Sequence, residues 1–401
     1  MTWRLQPPVF SPVPPLALLA GIAGIFRARD AGQEIVRREL CRRYDASDAL
    51  LTDSGTSALV IALRALVRPG GMIAFPSYAC IDLTAAALRA GVRVRLYDLD
   101  PMTLSPDLES VRGVINRGVD AILVAHMYGY PADVPAVQEL AKAAGIPVIE
   151  DAAQAAGGSL RGKALGSLSD ISILSFGRGK GMTAGSGGAL LARTPATAMW
   201  LDHAKKDLRI GARGGSEIGK LTAQWLFARS LLYRIPASIP SLQLGEMVYK
   251  PAVEPRSISA VAAAIFPSAL RVADGELDYR RARARELISM IDETRKVLPI
   301  RPVAGSEPGF LRLAVLNGAV DDIASIEAFG AQRGYPLTLE QHHQLLPILA
   351  SHERAGRGAE FLRDRLFTLP THSRVRDSDV THLHEWLAGG AEALRPQAFA
   401  T

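Results

Sequence analysis

The 401-residue sequence predicts an α/β protein: a large domain with a mostly parallel sheet covered by helices, then a smaller C-terminal α+β domain. Three observations predict it. Short apolar runs of strand length alternate with helix-length segments through the first half of the chain. Several runs end on polar side chains, where the chemistry of such sheets sits beyond the strand ends. A long charged helix then leads into a second group of short elements. The length suits two or three domains at roughly 100–200 residues each.

The elements follow in order. Leu5 to Phe26 carries no charge. Its apolar part, Pro15 to Phe26, has the length of a signal-peptide core. However, Pro7, Pro8, Pro12, Pro14 and Pro15 crowd the stretch and a single arginine precedes it, so it reads as an N-terminal arm. The prolines also leave too short an apolar helix to span a bilayer. A helix is expected over Ala31 to Tyr44. Strand-like runs follow at Met72–Phe75, Val92–Tyr97, Ile122–His126, Pro147–Ile149, Ile171–Phe176 and Gly188–Ala192, with helices at Ile81–Ala90 and Val134–Ala144. The apolar zone Leu221–Val248, broken by Arg229, Arg234, Pro236 and Pro240, reads as part of an insertion near 218–248. A subunit interface or a lid suits it better than a membrane-surface helix, because the prolines interrupt it. The charged segment Leu270–Val297 reads as a bridging helix. It places a boundary between a large domain, 1–268, and a small one, 269–401. The small domain is expected to hold a strand at Phe310–Val315 and helices at Ile323–Arg333 and Ser378–Leu394.

Composition narrows the functions. Hydrophobic residues make up 48% and charged residues 21%, near the globular average, which excludes a disordered, collagenous or coiled-coil chain. Lys plus Arg is 46 against 40 for Asp plus Glu, a net charge of +6. With no block of five like charges, no nucleic-acid partner is expected. The two cysteines, Cys41 and Cys80, make neither a disulfide scaffold nor a zinc site, so no metal is expected and a cytoplasmic setting fits.

Three motifs carry chemistry. Asp53-Ser54-Gly55-Thr56-Ser57-Ala58-Leu59 opens a helix. Its free N–H groups would either receive a phosphate or simply be capped by a hydroxyl. Ile149-Glu150-Asp151-Ala152-Ala153-Gln154 ends a buried strand on carboxylates, which need a partner: a protonated ring nitrogen or local backbone N–H groups. Ser175-Phe176-Gly177-Arg178-Gly179-Lys180-Gly181, continuing to Gly185-Ser186-Gly187-Gly188, places a lysine in a glycine-rich turn after a strand. A lysine held there beside a cation such as Arg178 is disposed to Schiff-base chemistry. A flexible surface turn is the plain alternative. The spacing fits neither nucleotide-loop pattern. Phosphate cup, ring-nitrogen carboxylate and lysine, in that order, are what pyridoxal phosphate needs.

With these motifs the sequence resembles the DegT/DnrJ/EryC1/StrS sugar aminotransferases, within the fold-type I pyridoxal phosphate enzymes. Pro76-Ser77-Tyr78 and His126-Met127-Tyr128-Gly129-Tyr130-Pro131 extend the match, with weaker ones over Ser259–Ala264, Gly334–Pro347 and Phe367-Thr368-Leu369-Pro370. The resemblance implies that Lys180 holds the cofactor and shuttles the proton. It implies that Asp151 pairs with the ring nitrogen and Gln154 with the ring hydroxyl. Gly55, Thr56, Ser57 and Ser175 would form the phosphate cup. Cys80 stands where the family usually places an aromatic residue over the ring, with Tyr78 as the aromatic nearest it. Glu254-Pro255-Arg256 stands where the family has Asn-x-Arg, which reaches the neighbouring subunit, so Arg256 is a candidate. His126 and His343 are substrate candidates. The implied activity is amino transfer, with pyridoxamine phosphate formed during turnover. The donor would be an amino acid such as L-glutamate. The acceptor would be a keto group, foremost on a nucleotide-linked keto sugar in polysaccharide or natural-product biosynthesis. A homodimer with its sites at the interface is implied, and peripheral membrane contact stays open. A non-sugar acceptor (cyclitol, amino-acid-derived or lipid-like), another pyridoxal phosphate reaction and a non-catalytic cofactor-binding regulator are the alternatives.

Overall fold

A computed structural model describes residues 5–26, 29–239, 247–294, 297–317 and 324–389. Its main sheet has seven strands. From edge to edge they are Asp48–Thr52, Gly188–Ala192, Ile171–Ser175, Val148–Asp151, Ala121–Ala125, Met72–Pro76 and Arg93–Tyr97. Gly188–Ala192 runs antiparallel to both its neighbours, and the other adjacent pairs are parallel. Thr52, Pro76, Ala125, Asp151 and Ser175 therefore all end at one edge, and Gly188 begins there. The central strands are buried on both faces, which is why they read as continuous apolar runs rather than alternating ones.

The helix Gly55–Leu66 starts at that edge. Ser54 caps it, its Oγ accepting the Ser57 N–H at 3.1 Å. Two glycines let it come close. A Cβ on Gly55 would lie 2.9 Å from the Ser175 Cβ, and one on Gly188 would lie 2.5 Å from the Gly55 nitrogen. Leu59, Leu63, Phe75, Leu123, Ile149 and Ile173 form the core beneath this helix.

The C-terminal sheet has the order Val297–Pro299, Leu313–Asn317, Leu366–Leu369, Gln332–Arg333, antiparallel throughout. A short strand at Ser306–Glu307 pairs with Ser159–Leu160 of the chain beside the main sheet. One continuous core, including Tyr130, Val137, Phe310, Val315 and Phe367, joins the two regions.

Several expectations need correction. The N-terminal arm contains a helix, Pro15–Phe26. Its glycines let it pack on the bridging helix: a Cβ on Gly24 would sit 2.6 Å from the Ala264 Cβ. The bridging helix runs over Ala260–Thr294, starting ten residues earlier than expected. Small apolar residues Ala260, Val261, Ala262 and Ala263 are all buried there, so that stretch lacks the charged pattern that marked the rest. The strand expected from Phe310 begins at Leu313, because Phe310 takes a positive φ of 41°. The helix expected over Ile323–Arg333 is a single turn, Ala324–Glu327, followed by the strand Gln332–Arg333. Gly330, at φ 89°, turns the chain between them; Ile323 lies outside the described residues. The last helix spans Asp377–Gly389, and the expected continuation to Leu394 lies outside the described residues. The insertion forms two helices, Gly215–Phe227 and Ser230–Ala237, with 240–246 outside the described residues. Among the described residues no helix is long and apolar enough to cross a membrane.

Candidate active site

A cleft opens at the carboxyl edge of the main sheet. Gly55, Thr56, Cys80, Asp82, His126, Asp151, Gln154, Ser175, Lys180 and Tyr335 are among its lining residues. The three sequence motifs therefore meet, because all of them lie at strand ends on one edge.

Lys180 sits in a turn between Gly179 and Gly181, which adopt φ of 75° and 85°. Such a conformation suits glycine and strains other residues. A Cβ on Gly181 would also lie 2.9 Å from the Ala156 Cβ. The Gly181 carbonyl accepts from Arg280 Nη2 at 2.7 Å, so a buried arginine of the bridging helix fixes the turn from behind. Arg178 is exposed.

Asp151 ends its strand facing the cleft. Its Oδ1 accepts the Ala153 N–H at 3.0 Å. Burial pushes its carboxyl up, opposed by that hydrogen bond and by the Lys180 charge. A half-buried acid with a single partner is open to a cationic donor. Its neighbour Glu150 points the other way, as alternation along a strand demands. Glu150 accepts from His126 Nε2 at 2.9 Å and from the N–H groups of Gly166 at 2.5 Å, Leu168 at 2.8 Å and Ser169 at 3.2 Å.

This network corrects the expectation for His126. Its Nδ1 accepts the Ala132 N–H at 3.0 Å, so its Nε2 carries the proton and donates to Glu150. Both ring nitrogens are engaged inside the protein, and none is left for a substrate. His343 is exposed and does not line the cleft; its neighbour His342 is the buried one. Arg256 is exposed as well. Its carbonyl accepts the Asp53 N–H at 2.8 Å, while the residue lines a separate cavity with Asp53, Arg89 and Arg209.

The ring-covering positions also resolve. Cys80 lines the cleft, and burial, reinforced by the Asp82 charge, pushes its thiol up to about 12. Tyr78 is fully buried and absent from the cleft lining. Its hydroxyl accepts the Tyr335 N–H at 2.7 Å. Ser57 is buried in the helix cap. Sequence reasoning missed two polar lining residues. Asp82 opens the helix Asp82–Ala90 and reads in sequence as ordinary first-turn acid. Tyr335 comes from the C-terminal region, where only a weak match signalled it.

Pyridoxal phosphate carries a phosphate, a protonatable ring nitrogen, a ring hydroxyl and an aldehyde. The cleft offers a counterpart to each: the N-terminus of the helix Gly55–Leu66 with Ser175, the Asp151 carboxyl, the Gln154 amide and the Lys180 amine. The half-buried carboxyl with its single hydrogen bond is the feature that fits a cationic ring nitrogen.

Known proteins agree. Residues 31–207 match the DegT/DnrJ/EryC1/StrS aminotransferase family. An L-glutamine:2-deoxy-scyllo-inosose aminotransferase of Streptomyces fradiae is 26% identical over 395 residues, covering 94% of this chain and 87% of the relative. A 3-amino-5-hydroxybenzoate synthase of Amycolatopsis mediterranei is 34% identical over 178 residues, covering 42% and 46%. The solved aminotransferase TlmJ of Streptoalloteichus hindustanus superposes with a TM-score of 0.73 at 23% identity, covering 96% of this chain and 98% of that one, a likeness of fold. Over residues 31–207 the chain matches the DegT/DnrJ/EryC1/StrS aminotransferase family, and it is a pyridoxal phosphate-dependent aminotransferase with the fold-type I architecture.

Proposed function

We propose that this chain moves an amino group from an amino-acid donor to a ketone on a polyhydroxylated ring, a keto sugar or a cyclitol. The observation that carries the reading is the meeting of Lys180, held between two left-handed glycines, with the half-satisfied carboxyl of Asp151 in one cleft. The cofactor supplies an electrophilic carbon that carries the amino group and a ring that withdraws electrons. The chain supplies the rest. The first-turn N–H groups at Gly55 and Thr56 bind the phosphate, and Ser175 borders it. Asp151 stays ionised by pairing with the ring nitrogen, which offsets the burial that otherwise raises it. Gln154 orients the ring through its hydroxyl. Lys180 Nζ holds the cofactor, takes a proton from the donor carbon and returns it on the acceptor side.

The ring-ketone reading is supported by the printed names of the relatives. The full-length match acts on an inosose with glutamine as donor. A UDP-N-acetyl-3-dehydro-glucosamine 3-aminotransferase of Acidithiobacillus ferrooxidans is 37% identical over 34% of this chain. The length covered favours a cyclitol over a nucleotide-linked sugar, and glutamine joins glutamate as a candidate donor. A homodimer suits the outward-facing Arg256 and the exposed apolar residues Leu16, Leu19 and Phe26. The free thiols Cys41 and Cys80 suit a reducing, cytoplasmic setting.

The test is an acceptor panel. The purified protein, loaded with L-glutamine or L-glutamate, is offered scyllo-inosose, 2-deoxy-scyllo-inosose, a UDP-linked 3-keto sugar and a linear keto acid, and aminated product is read by mass spectrometry. Product from a ring ketone supports the reading. Product from the keto acid alone overturns it.

A further inference from the structure

Cys80 and Tyr335 both line the cleft. A cysteine is too small to cover an aromatic ring. Tyr335 carries an aromatic ring, and three contacts hold it in place. Its hydroxyl accepts from Gln154 Nε2 at 2.7 Å. Its N–H donates to Tyr78 Oη at 2.7 Å. Its ring packs on Tyr78, with centroids 5.2 Å apart, and on Tyr128, at 5.5 Å.

The neighbouring chain is shaped for this. A side chain on Gly334 would collide with the Tyr78 hydroxyl, so glycine alone admits the Tyr335–Tyr78 contact. The Gly334 N–H donates to Leu366 O at 2.9 Å, which ties the segment to the C-terminal sheet. Gln154 is itself held from the other side, its Oε1 accepting the Tyr128 N–H at 3.3 Å. Burial keeps the Tyr335 hydroxyl protonated well past neutral pH, so it accepts the Gln154 hydrogen bond as a neutral phenol.

We propose that Tyr335 is the aromatic residue that contacts the bound cofactor ring in this chain, supplied by the C-terminal region in place of a side chain at position 80. The inference rests on the assignment of this cleft to the cofactor. It makes cofactor retention depend on the docking of the C-terminal sheet against the main one, through the Gln154–Tyr335 and Tyr78–Tyr335 hydrogen bonds.

The experiment measures the pyridoxal phosphate dissociation constant by equilibrium dialysis. The proteins are wild type, Tyr335→Phe, Tyr335→Ala, Cys80→Phe and the Cys80→Phe/Tyr335→Ala double variant, with circular dichroism to confirm folding and Lys180→Ala as the reference for the site. Tyr335→Ala is expected to weaken binding by up to about tenfold, the scale of a lost aromatic contact. Tyr335→Phe is expected to stay within about threefold, since it loses only one neutral hydrogen bond. The double variant is expected to recover most of the loss, because an aromatic side chain returns to the cleft at position 80. A merely structural role for Tyr335 would not be rescued by an aromatic side chain at position 80. Folded Tyr335→Ala that binds the cofactor as tightly as wild type overturns the inference while the Lys180 assignment stands. A double variant no tighter than Tyr335→Ala overturns it too. A wild type that binds no better than Lys180→Ala removes the cofactor assignment itself, and this inference with it.

Discussion

The two sides of the strand Val148–Asp151 follow opposite rules. On the sealed side, Glu150 accepts four hydrogen bonds, and His126, pinned by Ala132, supplies one of them. On the cleft side, Asp151 accepts one hydrogen bond and carries a carboxyl that burial has raised. The residues are adjacent, both acidic, and at the same strand end. The difference teaches that satisfied polar groups hold the sheet edge in shape, while the under-satisfied one marks where a ligand completes the structure. Substitutions on the cleft side should therefore cost chemistry, and those on the sealed side should cost stability.

Asp151→Asn should show the largest effect. A neutral amide carries no charge to keep the ring nitrogen protonated, so turnover should fall about 10²- to 10³-fold, as stopped-flow kinetics of the donor half-reaction would read. The cofactor-free protein should lose no stability, since a half-buried, under-paired charge has been removed. A destabilised cofactor-free variant would break the comparison.

Glu150→Gln should do the reverse. The amide turns an N–H₂ toward donors that need an acceptor, at a cost of about 2–3 kcal/mol. Urea unfolding should record that loss, while the folded fraction keeps near-normal half-reaction kinetics. A kinetic loss as large as that of Asp151→Asn would erase the distinction.

His372 extends the sealed rule to acid. Burial holds its pKa near 3, against about 6.5 in an unfolded chain. The folded state keeps the ring neutral while the unfolded state takes a proton. Stability should thus be full above about pH 6.5 and decline toward pH 3, by up to about 1.4 kcal/mol per pH unit for this group. His372→Asn should flatten that slope in melts taken across the range; an unchanged slope would contradict the assignment.

Ser54→Ala should give the smallest change. Loss of the cap costs about 1 kcal/mol, and the cofactor's visible band should persist, since Ser54 Oγ is spent on Ser57.

Much of this site was legible because it is local. Ser54–Ser57, Asp151–Gln154 and the lysine turn are short segments whose residue types announce a capped helix, a strand end and a left-handed turn. Alternation alone separates Glu150 from Asp151, but only the structure shows which of them faces the cleft. How His126 is held could not be read, since a histidine's use depends on partners such as Ala132 and Glu150 that come from elsewhere in the fold. Tyr335 reaches Gln154 across 181 residues, a contact no local pattern reveals. The helix Pro15–Phe26 was obscured by the prolines around it, and the start of the bridging helix by its lack of charge.

The most direct test of the account is the visible spectrum of the cofactor-loaded protein before and after excess L-glutamine or L-glutamate, with Lys180→Ala beside it. The account predicts a visible band that disappears with the donor and is absent or altered in Lys180→Ala. A band that no amino donor moves, or one that Lys180→Ala retains unchanged, would contradict it.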